Sequence, residues 1–247
     1  MKMNDHSILL DRPPPALRSA KRKASSKRRA PGRKPRTRNQ KRIDVRSFQI
    51  GKAALELFES KGYHDTTISD IANRAGVSVG TIYCYAPDKE GVLNMVLTDI
   101  LDAYAREVPR ALEGITEPLL ALRAAIRAYC EVVARRHRAG LLGYQEGRSL
   151  KLAHRKQMMQ RELETNVLIA NCIERCIAAG HFRSMNVELM TYRIIMIAHA
   201  WALKAWHLHS ITDLNSYVED NIEFVFSGAL TAAGRRRYRK LGFEVPS

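Results

Sequence analysis

The chain has 247 residues, 45% of them hydrophobic, enough for one large domain or two modest ones around a real core. Its 41 Lys and Arg outnumber 25 Asp and Glu, for a net charge of +16, which points to a polyanion, nucleic acid ahead of a membrane surface. An apolar run of about 18 residues, the least a membrane-spanning helix needs, occurs nowhere, and the N-terminal apolar run is too short for a secretory signal.

The charge is uneven. Residues 1–42 hold 15 Lys and Arg against Asp5 and Asp11, which leaves only +3 for the rest. Residues 1–43 are rich in Lys, Arg, Pro and Ser and cannot bury enough apolar surface to fold alone, so they read as a basic disordered arm. Within it, "APGRKPRTR" resembles an AT-hook, with Arg33, Lys34 and Arg36 as minor-groove candidates, although Lys34 interrupts the Gly-Arg-Pro core. The alternative is a solvated tail that binds phosphates without preference. The four cysteines, Cys84, Cys130, Cys172 and Cys176, form no Cys-x-x-Cys pair and read as reduced thiols of a cytoplasmic protein.

From about Asp44 the pattern turns helical. Ile50, Ala53, Ala54, Leu57 and Phe58 share one side of a first helix that Gly62 ends; Phe48 falls outside this arc. Thr67 caps a second helix, with Asp70 three residues on as in a capping box, and Gly76 closes it. Ser78 caps a third from Val79 to about Tyr85, Pro87 stops it, and Asp88 caps a fourth beginning at Lys89. Leu93, Val96, Leu97, Ile100, Leu101 and Tyr104 mark the apolar stripe of that fourth helix, before Pro109 and Gly114–Pro118 break the chain. Further helices are expected at about 118–138, 140–147, 150–179, 186–209 and 213–233, with a polar tail at 235–247. No sustained alternation of a strand is present.

Residues 67–86 thus spell helix, tight turn, helix, with Ile68, Ile71, Ala72, Val77 and Ile82 inward: helix-turn-helix geometry. The second of these helices is short because only its first turns meet base edges in a major groove. Ser78, Gly80 and Thr81 are small enough for close approach. Tyr83 and Tyr85 each offer a hydroxyl for phosphate and a ring for a thymine methyl, and Lys89 adds charge at a helix N-terminus. For Tyr83 the alternative is a core tyrosine with a satisfied hydroxyl.

The pieces "ALELFESKGY", "TTISDIANRAGVS", "GTIY.Y" and "DKEGVL", spread over residues 44–104, closely resemble the DNA-binding domain of the TetR family of bacterial transcription regulators. The resemblance implies an all-α homodimer: an N-terminal three-helix helix-turn-helix domain at 44–104, then a helical ligand-binding and dimerisation domain at 105–234. It implies that Thr67, Ser78, Val79, Gly80, Thr81, Tyr83, Tyr85 and Lys89 face DNA. One departure is plain: the family usually carries Phe after the Tyr-x-Tyr unit, where this chain has Ala86 followed by Pro87. Beyond residue 104 the resemblance fades.

In the C-terminal half, "YRIIMIAHAWALKAWHLH" is apolar almost all round and needs cover on most faces. His199, Trp201, Trp206, His207 and His209 read as lining for a cavity or interface; their spacing does not suit zinc, and no metal or other cofactor is expected. Trp201 and Trp206, with Tyr144, Met158 and Met159, are candidates for a pocket taking a small, largely apolar effector, the alternative being that all five are ordinary core. Phe224, Val225 and Leu230 are the candidates for a dimer seam. No phosphate loop, nucleophile elbow or His-Glu-x-x-His appears, so an enzyme is not expected. The sequence reads as a sequence-specific transcription regulator, a ligand-responsive repressor bound to operator DNA in the bacterial cytoplasm. The alternative is a ligand-independent architectural DNA-binding protein that uses its arm.

Overall fold

The computed structural model describes residues 38–244, with side chains from Val45 onward; Arg33, Lys34 and Arg36 lie outside the described residues. The described chain is helical, and its only bridge is an isolated one between Phe182 and Leu230. Four helices build the N-terminal part: α1 (Arg38–Ser60), α2 (Ile68–Ala75), α3 (Val79–Tyr83) and α4 (Lys89–Ala111). Helix α1 starts at Arg38, earlier than Asp44, because Arg38–Ile43 contains no breaker and several good helix formers. Ile50, Ala54 and Phe58 of α1 close over Ile71, Ala72 and Ile82, with Val92, Leu93 and Leu97 of α4 as the floor. Phe48 lies off this face and is exposed.

The remaining helices form the body: α5 (Pro118–Arg135), α6 (His137–Glu146), α7 (Leu152–Ala178), α8 (Val187–Leu203), α9 (Ala205–Ile211), α10 (Leu214–Ala229) and α11 (Ala232–Lys240). Their core gathers Leu119, Leu122, Ile126, Tyr129, Ile169, Ile173, Ile194, Ile222 and Phe226, with Leu101, Tyr104 and Val108 reaching in from α4. Helix α4 therefore belongs to both cores, and α6 sends Ala139 and Leu142 back into the N-terminal one.

Two expected helices are divided. The one at about 186–209 breaks at Lys204. A straight helix would hold residues eight apart at about 12 Å. The break instead brings the His209 ring to 4.6 Å from that of Trp201, and the Tyr217 ring packs on the same indole at 5.0 Å. The one at about 213–233 ends at Ala229; Leu230 is extended and Thr231 caps α11, its hydroxyl accepting from the Gly234 N–H.

Residues 235–240 of the segment expected as a polar tail belong to helix α11. Tyr238 is buried, its ring packs on Phe226 and Phe243, and its hydroxyl accepts from Arg123 at 2.5 Å. Arg237 pairs with Glu117. One aromatic anchor among six mostly charged residues gives no apolar periodicity, which is why the sequence pattern hides it.

Candidate nucleic-acid interface and effector cavity

The reading head is built by caps. Thr67 Oγ1 accepts from the Asp70 N–H at 3.1 Å while Asp70 Oδ2 accepts from the Thr67 N–H at 2.8 Å, a complete capping box. The Asp70 carboxyl is held down to about 2 by its hydrogen bond from Lys61, then by those from Thr67. Gly76 takes φ 64, a left-handed turn that glycine adopts without strain, and reverses the chain. Ser78 Oγ accepts from the Thr81 N–H at 3.1 Å and lies 2.8 Å from the Thr81 hydroxyl. Ile82, wholly buried, roots α3 in the core.

With Ile82 inward, Ser78, Val79, Gly80 and Tyr83 are exposed, as is Thr67 at the start of α2; Thr81 and Tyr85 are half-buried. Tyr83 is 54% exposed, and neither its hydroxyl nor that of Tyr85 has a hydrogen-bond partner among the described residues. A core role for Tyr83 is excluded by that exposure. Lys89 differs from the expectation: its ammonium donates to the carbonyls of Tyr63 at 2.8 Å and His64 at 2.7 Å and lies 4.7 Å from the centre of the Tyr63 ring. It clasps the turn after α1 instead of standing free for phosphate. The first amides of α4 are likewise capped by a carboxylate of the chain itself, Asp88 Oδ1 accepting from Gly91 at 2.7 Å.

Ala86 is buried, and a Cβ added to Gly91 would lie 2.8 Å from Pro87 Cδ and 3.2 Å from Ala86 Cβ. The seam where the resemblance implies an aromatic ring is closed by this approach of Gly91 to Ala86 and Pro87.

Behind the head, α4, α5, α6, α7 and α8 line a half-open cavity of about 330 Å³. Leu97, Ile100, Leu101, Val133, Ile195 and Ala202 give it apolar walls. His199 lies at its polar end: Nδ1 is 2.8 Å from the Tyr144 hydroxyl, and Nε2 is 3.2 Å from that of Tyr129 and 3.5 Å from that of Tyr104. The Tyr104 and Tyr129 rings stack at 4.0 Å. Burial lowers the His199 pKa to about 4 and raises those of Tyr104, Tyr129 and Glu162. Arg136 also lines the cavity; its Nε donates to Asp99 at 3.0 Å and its Nη1 lies 3.7 Å from Glu107, both on α4.

Three helices tie this cavity to the head. Helix α4 supplies both the seam and one wall. Helix α6 carries Gly140, Gly143 and Tyr144 to the cavity, Ala139 and Leu142 to the head core, and Arg138 to Glu59 of α1 at 2.5 Å. Helix α7 carries Met158 and Glu162 to the cavity and, at its start, Lys151 and His154 to the buried Glu90 beside the seam.

Comparison with known proteins agrees with this architecture. Residues 50–96 match the family described as bacterial regulatory proteins, tetR family, and residues 117–206 match the tetracyclin repressor-like C-terminal domain. The HTH-type transcriptional regulator HbdR of Aromatoleum sp. (strain CIB) is 39% identical over 201 residues, 81% of this chain and 88% of that one. The chain belongs to the TetR family. It is a DNA-binding transcriptional regulator. The HTH-type transcriptional repressor KstR2 of Mycolicibacterium smegmatis is 27% identical over 164 residues, covering 66% of this chain and 79% of that one. A tetR-family regulatory protein from Rhodococcus RHA1 superposes with a TM-score of 0.67 at 22% identity, over 76% of this chain and 98% of that one. FadR from Bacillus subtilis, solved in complex with stearoyl-CoA, superposes with a TM-score of 0.64 at 22% identity, over 73% and 98%.

This TetR family member departs from several expectations at the body. Tyr144 and Met158 line the cavity, but Met159 is exposed, because adjacent residues on a helix point about 100° apart. Trp201 is buried against His209 and Tyr217 and does not line the cavity, and Trp206 is 80% exposed on α9. Of the seam candidates, only Phe224 is exposed, at 71%. Val225 and Leu230 are buried within their own chain, Leu230 under α11, so they have no face left for a partner. Tyr104, Tyr129 and Glu162 come from three helices with no shared local spacing, so the sequence pattern does not bring them together as cavity residues; His199, expected to line a cavity or interface, lines the cavity. No described helix is long and apolar enough to cross a membrane.

Proposed function

We propose that this TetR family regulator is a homodimeric, ligand-responsive repressor whose effector occupies the cavity around His199. The observation that carries the reading is the double duty of α6: one ten-residue helix sends Gly140, Gly143 and Tyr144 to the cavity wall and Ala139 and Leu142 into the core of the reading head. An occupant that moves α6 must move the head. Two heads of a dimer bind DNA when their recognition helices sit about 34–36 Å apart, or a multiple of that. A ligand preferring another spacing weakens operator binding by its differential affinity, about 1–3 kcal/mol in typical couplings.

The relatives fit this reading: one is named a repressor, one solved structure is described as a ketosteroid regulator, and another holds stearoyl-CoA. At about 330 Å³ the cavity is at the small end of ligand pockets, so a ring-sized, largely apolar effector fits it better than a long chain. Thr67, Ser78, Val79, Gly80, Thr81, Tyr83 and Tyr85 form the DNA face in this reading, and Lys89 supports it from behind. Phe224, with exposed Leu189 and Ile211 on neighbouring helices, supplies apolar surface for the partner copy. The site is cytoplasmic, at the nucleoid, and involves no catalysis. Selection from random-sequence duplex DNA with the full chain tests the proposal. Enrichment of a two-fold symmetric site, lost in Tyr83→Ala, is expected; recovery of DNA with no shared symmetric sequence would contradict it.

A further inference from the structure

The polar end of the cavity has more protons to donate than it has acceptors. A neutral imidazole offers one N–H and one acceptor nitrogen, and three phenol hydroxyls surround that of His199. If Nδ1 carries the proton, it donates to the Tyr144 oxygen. Nε2 then accepts from Tyr129 or Tyr104, and within the cluster the Tyr144 proton has only the Met196 sulfur at 3.9 Å, a weak acceptor; with this side chain 53% exposed, its other acceptor is water, which a ligand oxygen can replace. If Nε2 carries the proton, Tyr144 donates to Nδ1. Of the Tyr104 and Tyr129 hydroxyls, one can donate to the other, and the second has nothing in the cluster to receive its proton. Either tautomer leaves one hydroxyl hydrogen without a strong acceptor from the protein, beside the apolar wall of Leu97, Ile100 and Ile195.

The charges beside the cluster favour an uncharged occupant. Arg136 is already engaged by Asp99 and Glu107. Glu162 lines the cavity with no ion pair or side-chain hydrogen bond among the described residues, so an anion placed beside it meets a group that can itself become negative. We infer that the effector presents a neutral carbonyl oxygen, as in a ketone, ester or thioester, to the Tyr104–Tyr129–Tyr144–His199 cluster, with a ring-sized apolar body against Leu97, Ile100 and Ile195. This rests on the cavity being the effector site and adds the chemistry it selects.

Three probes of similar size test it on the full chain by calorimetry at pH 7.5: 2-acetonaphthone, 2-naphthoate and 2-ethylnaphthalene. The ketone is expected to bind at least about tenfold tighter than the hydrocarbon, and the carboxylate no tighter than the ketone. The carbonyl stretch of the bound ketone is expected below its value in hexane, and to move in Tyr144→Phe or Tyr104→Phe. Equal binding of hydrocarbon and ketone, tightest binding of the carboxylate, or a carbonyl band that neither variant moves overturns the inference and leaves the effector cavity standing. If none of the three binds, the inference and the cavity reading fall together.

Discussion

Lys89 shows how one side chain can be placed correctly and assigned the wrong task. Its ammonium caps two backbone carbonyls, and a hydrogen bond to a charged group contributes about 1.5–3 kcal/mol. Lys89→Ala should therefore lower the melting temperature and weaken operator binding, yet leave the slope of log K against log salt unchanged. A lost phosphate contact would instead reduce that slope by about one. Tyr83→Phe should instead leave stability intact while weakening operator binding by about 0.5–1.5 kcal/mol, one neutral hydrogen bond. Ala86→Phe should destabilise the head by roughly 1–3 kcal/mol, since Gly91 and Pro87 already fill the space a ring would take. A higher melting temperature in that variant would contradict the close-approach account.

His199 makes stability depend on pH. Its folded pKa lies near 4, below the ordinary 6.5, so the unfolded chain binds more protons between these values. The stabilisation is complete above pH 6.5 and is lost as pH falls towards 4, by at most about 3 kcal/mol. Burial raises the Glu162 pKa, so that group acts in the opposite sense. Thermal melts of wild type and His199→Gln between pH 6.5 and 4.5 check the sign: the wild type should lose more stability on acidification.

At the level of elements, legibility follows from how local the cause is. The caps at Thr67, Ser78 and Asp88 and the left-handed Gly76 were readable because each device spans about six residues or fewer. The break at Lys204 was not, since its cause is the packing of Trp201 against rings that come later in the chain. Helix α11 was hidden by its charges, although its place is tightly fixed: a Cβ on Gly234 would lie 2.0 Å from the His181 carbonyl oxygen. Gly234→Ala should cost about 1–3 kcal/mol by overpacking, read as a lower midpoint in urea. An unchanged midpoint would show that α11 contributes little to the body.

For the whole molecule, the helix-turn-helix was legible because one short contiguous stretch contains it, while the cavity draws on five helices and two of the three seam candidates, Val225 and Leu230, are buried in their own chain, Leu230 under the unseen cover of α11. The corrected expectation is that Leu230→Asp unfolds the body, whereas Phe224→Asp keeps the fold and shifts the chain towards monomer in sedimentation. Weaker dimerisation should also weaken operator binding, because the two half-sites are then no longer linked. Deleting residues 1–37, where most of the net charge lies, should reduce affinity and flatten its salt dependence. The central claim is that cavity and DNA face are coupled, and coupling is reciprocal. The affinity of a cavity ligand such as 2-acetonaphthone, measured with and without saturating operator duplex, tests it most directly. Binding is expected to be weaker in the presence of operator, by about 5- to 150-fold; equal affinity in both conditions would show that the two sites are not coupled.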